Sequence, residues 1–478
     1  MKKISFAVFL LFCSVMSFPA FAETHQDSLV KQAINSLLSK DALQNTLHFP
    51  ATVRRLYRGN NGQALWIRPQ NGEGPAWQVM MLLDCVLQYG LSPASYHPTE
   101  LTYNRLHRAL DTVGKVSPIE AGKLDIFLSD AIITFVNHLH YGKFNPLLTT
   151  GKIDQDSFKG FQADSAVLAA LPENKPYEFW SNIERTQPQD KAYRDLQRRM
   201  RLLEGQYSGD NYQVSDQEVR LIAVNMERMR WLPGVSGDHI RINLPAFDLS
   251  YQYGNNVEHF RVAIGRAATP TPELSSAIPS LTAAPDVVLD QDRFVNELLP
   301  RALRDSNFLR KNQYALYDKK GTYQPSTHST LDQVALYPDD YRLRHASGHD
   351  GALGRLVFRF NNPYRIDLHD MPRKAFFEQR NRAITTGCIW LDDAEKLGKL
   401  VLLNDGQVKK AAQLGKAMKK YQRKVYMLQR PLPIVITYLT VLMNEGTLVV
   451  YPDIYHKDAE LAARIFPSGS WLVAEQTY

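Results

Sequence analysis

The chain has 478 residues, of which 44% are hydrophobic and 22% charged, and its formal net charge is +7 at pH 7. This length predicts two to four domains, and the composition excludes a collagen-like, low-complexity or mostly disordered chain. No run of 18 apolar residues follows the N-terminus, which excludes a polytopic membrane protein. The mild positive charge permits an anionic partner such as a cell-wall polymer and does not require nucleic acid.

The first 22 residues have the pattern of a secretory signal peptide. Lys2 and Lys3 precede the apolar segment 6–16, and Ala20-Phe21-Ala22 is a small-x-small cleavage site. An anchoring helix is the alternative, which we disfavour because the apolar segment is short for a bilayer. We therefore expect a mature chain of net charge +5 that begins at Glu23, in a bacterial periplasm, with no stable membrane span.

Two cysteines, Cys85 and Cys388, remain after the predicted cleavage. A secreted protein of this size with two cysteines is not a disulfide scaffold, so either they pair once or at least one is kept free. Cys85 lies beside the apolar stripe of a helix that is predicted to begin at Pro75 and end at Gly90. That position predicts a buried structural thiol.

The first part of the mature chain is predicted to be helical. Ser117-Pro118-Ile119-Glu120 is a capping box that opens a helix ending at Gly142. Further helices are predicted from Thr186 to about Gly205 and from Ser215 to about Trp231. These patterns predict a helical scaffold domain over residues 23–212, and the ten-residue connector 205–214 has room for a turn only.

After Pro233 the hydrophobic period changes from 3.6 to 2, which indicates strands. The sequence therefore predicts an α+β protein, with a mostly-β catalytic domain over residues 213–458 and a C-terminal segment over 459–478. An irregular, polar stretch at about 267–347 is predicted to be an insertion that covers a site. The predicted strands are centred on residues 240–244, 260–264, 356–360, 366–368, 434–442 and 447–451.

Cys388 has the surroundings of a reactive thiol. Gly387 precedes it, and residues 391–403 are predicted to form a helix. Backbone N–H groups near a helix start would lower the pKa of the thiol and could hold an oxyanion. His369 ends a predicted strand 19 residues upstream, and a Cys–His pair can generate a thiolate nucleophile. The alternative is a reduced cysteine with a capping histidine.

The residues around this pair resemble the active-site signature of the L,D-transpeptidases, which remodel peptidoglycan with a catalytic cysteine. The matching stretches are Ile366-Asp367-Leu368-His369-Asp370-Met371-Pro372 and Thr386-Gly387-Cys388-Ile389. Other stretches resemble the large multidomain branch of Gram-negative periplasms, which has a YkuD-type catalytic domain. They are Ala64-Leu65-Trp66, Tyr89-Gly90-Leu91-Ser92-Pro93, His140-Tyr141-Gly142-Lys143, and residues 225–233, 241–247 and 450–455.

The resemblance implies a specific reaction on peptidoglycan stem peptides. Cys388 would attack the carbonyl of the third residue of a tetrapeptide stem and release the terminal D-alanine. An amine of a neighbouring stem would then take the acyl group, forming a 3→3 cross-link. His369 would be the general base, oriented by the backbone carbonyl of Asp370, and the N–H groups of Gly387 and Cys388 would form the oxyanion hole.

The resemblance also implies further properties. Thr386, Trp390 and Tyr364 are the expected substrate-binding residues, and the insertion would cap the groove. No cofactor is expected, carbapenems are expected to acylate the cysteine, and cell-wall synthases are the expected protein partners in cell-wall biogenesis and cell shape.

Several positions depart from the family pattern. Trp390 stands where the family usually has arginine, and tryptophan cannot replace that charge. Asp367 stands where tyrosine is frequent, Gly351 where asparagine is frequent, and Ala284-Pro285-Asp286-Val287 replaces an Asn-Pro-x-Trp stretch. The connector 205–214 leaves no room for the usual peptidoglycan-binding domain.

Two other functions fit the same residues. The first is a cysteine amidase or L,D-carboxypeptidase that hydrolyses a wall amide or the bond between the wall and a lipoprotein. The second is a catalytically weak scaffold protein of the wall machinery, although an intact Cys–His pair fits it poorly. A metal site is disfavoured, because His345 and His349 flank Gly348 in a predicted loop and not on a helix.

Overall fold

The computed structural model describes residues 25–68, 74–111, 116–171, 176–207, 215–285, 287–312, 314–345, 354–420 and 422–467. The chain divides into two compact units. The first unit extends to Gln187, apart from the short segments 87–92 and 144–146, which belong with residues from 188 onward in the second unit. The predicted signal peptide, Gly351 and His349 lie outside the described residues.

The first unit is helical, as the periodicity predicted. Pro50, Pro75, Pro118 and Pro176 are each the first residue of a helix, where the missing N–H of proline costs no hydrogen bond. Its helices are α1 (His25–Leu38), α2 (Asp41–Gln44), α3 (Pro50–Gly59), α4 (Pro75–Asp84), α5 (Tyr103–Asp111), α6 (Pro118–Tyr141), α7 (Thr150–Asp154), α8 (Ala163–Ala170) and α9 (Pro176–Glu184).

Helix α6 organises this unit, because it is buried on nearly all sides. Ser117 and Glu120 form the predicted capping box at its start. Two buried carboxylates on α6 accept backbone N–H groups of the preceding chain. Asp125 accepts those of residues 65–67, and Asp130 accepts those of His48 and Phe49. A buried carboxylate bonded to several N–H groups fixes the path of the segments that supply them.

The second unit begins with two helices and continues into a large sheet, a small four-stranded sheet and the two-stranded pair of its last two strands. Its helices are α10 (Lys191–Tyr207), α11 (Asp216–Arg230), α12 (Gln291–Arg293), α13 (Leu299–Arg304), α14 (Phe308–Lys311), α15 (His328–Leu336), α16 (Ala394–Asn404), α17 (Val408–Lys419) and α18 (Asp458–Ile465). Its strands are β1 (His239–Asn243), β2 (Asp248–Tyr253), β3 (Asn256–Gly265), β4 (Leu274–Ala283), β5 (Val287–Val288), β6 (Tyr314–Asp318), β7 (Tyr323–Gln324), β8 (Tyr341–His345), β9 (Leu356–Arg359), β10 (Leu368–Asp370), β11 (Ala383–Thr385), β12 (Ile389–Leu391), β13 (Lys424–Thr437), β14 (Val441–Asn444) and β15 (Thr447–Val450).

The large sheet has the strand order β11-β3-β12-β10-β9-β4-β13-β1-β2. Strand β2 also pairs with β3, so that eight strands close on themselves and β11 adds to β3. Alternate residues of these strands enter one hydrophobic core, against which α16 and α17 pack. This alternation is the period-2 pattern of the sequence, and it leaves the opposite face of each strand available for polar side chains.

The small sheet, β5-β8-β6-β7, belongs to an inserted subdomain between β4 and β9 with its own core. Phe294, Leu309, Leu331 and Leu343 are among the buried residues of that core. The prediction of an irregular segment from residue 267 is wrong for the first part of that segment, because β4 pairs with β9 and β13 inside the large sheet. Pro279 and the serines of β4 interrupt the alternation of apolar and polar residues, so the sequence pattern does not indicate a strand there.

Helix α11 begins at the predicted Ser215 cap, whose hydroxyl accepts the Glu218 N–H. Its apolar face packs with α10 and α18 in a third core. The predicted run 434–442 is divided between two strands, since β13 ends at Thr437 and β14 begins at Val441. Among the described residues, no helix combines the length and the apolar character needed to cross a bilayer.

Candidate active site

The site is built on two adjacent parallel strands, β10 and β12. Leu368 pairs with Ile389 and His369 with Trp390, and the Ile389 N–H donates to the Asp367 carbonyl at 3.0 Å. Leu368 and Ile389 point into the hydrophobic core. Because side chains alternate along a strand, the neighbouring residues point to the opposite face. That face, called here the site face, carries His369 and Trp390, and the same alternation directs Asp367 and Cys388, the residues just before the two strands, toward it. Cys388 is half-buried and also packs against the core.

His369 is oriented by its neighbour's backbone. Its Nδ1 lies 3.0 Å from the Asp370 carbonyl oxygen. A carbonyl oxygen only accepts hydrogen bonds, so Nδ1 holds the proton and Nε2 keeps a lone pair. His369 is 2% exposed, and this burial lowers its pKa below 6.5. The imidazole is therefore neutral at pH 7 and can act as a base through Nε2.

Asp370 is held in turn by Arg355, the residue immediately before β9. Its Oδ2 accepts the Arg355 N–H at 3.0 Å and forms an ion pair with Arg355 Nε at 3.3 Å. Gly354 has φ +57°, and a Cβ there would lie 2.2 Å from the Asp370 carbonyl oxygen. Only glycine fits so close to the carbonyl that orients His369.

The turn before Cys388 is fixed by two threonine hydroxyls. Thr385 Oγ1 accepts the Gly387 N–H at 3.2 Å and donates to the Cys388 carbonyl at 2.5 Å. Thr271 Oγ1 donates to the Gly387 carbonyl at 2.9 Å. Gly387 itself has φ +114°, a backbone conformation that residues with a side chain rarely adopt. The peptide in front of the nucleophile is thus held on both sides.

The predicted pKa of Cys388 is wrong in direction. Strand β12 follows the cysteine and α16 begins only at Ala394, so the thiol is not at a helix start. Burial raises the pKa of Cys388 above 9, a backbone hydrogen bond with Asp367 opposes this, and the Asp367 charge adds to it. The resting nucleophile is therefore a thiol at pH 7, and it needs a base to react.

The expected substrate-binding residues occupy different surroundings. Trp390 lies on the site face, where its ring packs against Phe376 at a centroid distance of 5.3 Å. Thr386 is exposed beside the Cys388 turn. Tyr364 is 58% exposed on a turn before β10, and no contact with Cys388 is seen for it within the described ranges. Cys85 and Cys388, the two cysteines that the structure describes, form no disulfide, and Cys85 is only half-buried.

Thr271 and Tyr455 support the site, and the sequence analysis did not predict a functional role for either. Tyr455 Oη donates to the Gly265 carbonyl at 2.6 Å and accepts the Thr271 N–H at 3.1 Å. Thr271 continues this series of bonds to Gly387. Tyr455 lies in one of the stretches that resemble the family, but no pattern in the sequence links it to residue 271.

A possible metal cluster occurs in the first unit, far in sequence from Cys388. One ligand atom from each of His48, His97 and Asp130 lies within 4.8 Å of the others. Asp130 already accepts the N–H groups of His48 and Phe49, both at 2.9 Å, and lies 2.6 Å from His97 Nε2. These bonds hold the chain before α3, and the 2.6 Å separation is that of a hydrogen bond.

Comparison with known proteins agrees with this geometry. Residues 51–200 match the model of a scaffold domain, and residues 237–427 match the model of an L,D-transpeptidase catalytic domain. The chain is 23% identical over 441 residues to a Haemophilus influenzae protein named "Putative L,D-transpeptidase", covering 90% of this chain and 82% of that one. The catalytic-domain match includes β10, β12 and the whole site face. The chain therefore contains an L,D-transpeptidase catalytic domain, which is mostly β, preceded by a helical scaffold domain.

Proposed function

We propose that this protein is a periplasmic peptidoglycan L,D-transpeptidase that forms 3→3 cross-links through an acyl-enzyme on Cys388. The match of residues 237–427 to the L,D-transpeptidase catalytic domain supports a transpeptidase that modifies peptidoglycan. The observation that supports the cysteine mechanism best is the parallel pairing of β10 and β12, with an oriented, neutral His369 on one strand and Cys388 immediately before the other. The N-terminal sequence pattern supports export to the periplasm.

In the proposed acylation, His369 Nε2 takes the proton of the Cys388 thiol while Sγ attacks the carbonyl of the third stem residue. The carbonyl oxygen becomes an oxyanion near the Cys388 N–H. Because the Gly387 N–H already donates to Thr385, we assign the larger share of this stabilisation to Cys388. The C–N bond then breaks, D-alanine leaves with the proton from His369, and a thioester remains.

In the proposed second half, the amine of another stem attacks the thioester carbonyl. A C–N bond forms, the C–S bond breaks, and Cys388 regains a proton through His369. Water in place of the amine would give a trimmed tripeptide, which is the hydrolase alternative. Carbapenems are expected to acylate the same sulfur, and cell-wall synthases are the proposed partners.

The test is intact-mass analysis of the products that the purified chain from Glu23 to Tyr478 forms from disaccharide tetrapeptide. We expect a cross-linked dimer that lacks one D-alanine. Cys388→Ala should abolish it, because the substitution removes the nucleophile and leaves the fold intact. Cys85→Ser is the matched control, since it removes the other free thiol and should retain the product.

The alternatives predict different products. A trimmed tripeptide without a dimer would identify a hydrolase. No product, together with no acylation of Cys388 by a carbapenem, would contradict catalysis at this site and favour the scaffold function.

A further inference from the structure

A carboxylate lies next to the nucleophile on the site face. Asp367 immediately precedes β10, and its carbonyl accepts the Ile389 N–H, so that in the parallel register it is beside Cys388. Asp367 is two residues before His369, and by the alternation of the extended chain the two side chains point to the same side. The Asp367 charge acts on both members of the pair. Burial lowers the pKa of His369 and raises that of Cys388, and the carboxylate raises both.

The Asp367 carboxylate has an incomplete set of partners. Its side chain is 21% exposed, and Arg359 Nη1 lies 3.7 Å from its Oδ2, which is longer than a hydrogen bond. No hydrogen bond to either carboxylate oxygen is seen in the part of the chain that the structure describes. Burial raises the pKa of Asp367, opposed by Arg359 and His369. A half-buried carboxylate with free lone pairs is stabilised by a second cation.

We propose that the Asp367 carboxylate binds the ammonium group of the acceptor and so selects a cationic primary amine as the second substrate of this site. The proposal rests on the proposed function, because it concerns the step that follows acylation of Cys388. Primary alkyl amines are almost fully protonated at pH 7, and the acceptor arrives as a cation. An ion pair with Asp367 holds its nitrogen beside the thioester carbonyl, which raises its effective concentration there.

The protons balance when an acceptor bound at Asp367 attacks the thioester. The acceptor enters as R–NH₃⁺ and loses one proton to solvent from its site on Asp367, which leaves a neutral amine. Its lone pair attacks the thioester carbonyl, the C–N bond forms, and the C–S bond breaks. The second proton passes through His369 Nε2 to Cys388 Sγ. The products are an amide, a free thiol and one released proton, and no other reactant is needed.

The test measures how the acyl-enzyme divides between nucleophiles, which does not depend on how fast it forms. Acyl-enzyme made from the tetrapeptide donor is offered either Nα-acetyl-lysine, a cationic primary amine, or hydroxylamine, which is neutral at pH 7. The ratio of amide or hydroxamate to hydrolysed acid is read by mass spectrometry. In Asp367→Asn we expect the preference for the cationic amine over hydroxylamine to fall at least ten-fold.

Two further variants separate charge from shape. Asp367→Glu keeps the carboxylate and should retain part of the preference. Asp332→Asn makes the same charge change at an exposed position on α15 and should keep all of it. If Asp367→Asn does not fold, the preference of the wild-type chain for the cationic amine over hydroxylamine tests the proposal instead. It should exceed that of a free alkyl thioester in solution, and an equal preference would overturn the proposal.

The outcomes also separate this inference from the proposed function. A wild-type chain that forms no acyl-enzyme contradicts the transpeptidase itself. An active wild type with an unchanged preference in Asp367→Asn overturns only the acceptor role. An equal loss toward both nucleophiles would mean that Asp367 acts on Cys388 and His369 and not on the acceptor, which also overturns it.

Discussion

Thr271 Oγ1 donates a hydrogen bond of 2.9 Å to the carbonyl of Gly387, the residue before the nucleophile, across a sequence separation of 116 residues. The same oxygen accepts the Gly265 N–H at 2.8 Å. Thr271 is buried, so water cannot replace either bond. The turn between β3 and β4 thus supports the peptide on which the oxyanion is proposed to form.

Thr271→Val should therefore lower both stability and acylation. Valine keeps the shape of threonine but leaves the Gly265 N–H and the Gly387 carbonyl without a partner, which costs about 1–3 kcal/mol. We expect this loss in urea unfolding, with acylation by a carbapenem slowed about ten-fold, a ratio that corresponds to about 1.4 kcal/mol. Thr322→Val, at an exposed threonine of the inserted subdomain, is the control. Unchanged acylation in Thr271→Val would refute the supporting role.

Gly354→Ala should disturb His369 through Asp370. The new Cβ would lie 2.2 Å from the Asp370 carbonyl oxygen, so the carbonyl that orients the imidazole must move. Gly321→Ala is a matched control, because Gly321 also has a positive φ, +79°, and a Cβ there meets nothing within 4 Å. Both variants should lose about 1–2 kcal/mol for the backbone conformation. Only Gly354→Ala should also lose more than ten-fold in acylation rate, and equal rates in the two would contradict the clash.

The pH dependence of the thiol follows from the two pKa shifts. Burial raises the pKa of Cys388 above 9 and lowers that of His369 below 6.5. At pH 7 both groups are neutral, and the site is not a thiolate–imidazolium pair. Alkylation of Cys388 by iodoacetamide should be slow at pH 7 and should accelerate as the pH rises past 9.

Enzymatic acylation has a different pH dependence. It requires neutral His369 and should fall only when the pH drops through the lowered pKa of that group, below 6.5. Both profiles are best measured in Cys85→Ser, which leaves one thiol, by mass spectrometry. Fast, pH-independent alkylation between pH 5 and 7 would instead indicate an ion pair.

Asp125→Asn should destabilise the scaffold domain. The buried carboxylate accepts the N–H groups of residues 65, 66 and 67 at 3.1, 2.8 and 2.8 Å, and the Tyr57 hydroxyl at 2.5 Å. The asparagine side chain has only one acceptor oxygen, so its NH₂ group would face some of the donors that the second carboxylate oxygen now accepts. Hydrogen bonds to a charged group contribute about 1.5–3 kcal/mol each, and we expect a loss of about 3 kcal/mol in chemical unfolding.

Asp156→Asn is the control for that variant. Asp156 is an exposed aspartate of the same unit, paired with Arg55 at 2.8 Å, and exposed ion pairs contribute little. We expect its unfolding midpoint to match the wild type. An Asp125→Asn variant as stable as this control would contradict the assigned role of the carboxylate.

Much of the fold could be predicted from local patterns. The Ser117 and Ser215 caps predicted the starts of α6 and α11, because a capping hydroxyl and the N–H that it accepts are three residues apart. Strand β12 was not predicted, and its last residue, Leu391, was placed at the start of a helix, since three residues are too few to show a period. Its partner strand β10, whose pairing defines β12, lies 21 residues earlier in the chain.

The amino-acid sequence by itself determined the helical and β-rich halves, the resemblance to the L,D-transpeptidases, and the residues of the Cys388 motif, because each depends on neighbours a few positions apart. Tertiary structure alone decided the closure of the large sheet, the raised pKa of the thiol and the support of Gly387 by Thr271. It also decided the place of Asp367 beside the nucleophile. These features depend on burial and on hydrogen bonds between segments distant in the chain, and no local spacing encodes them.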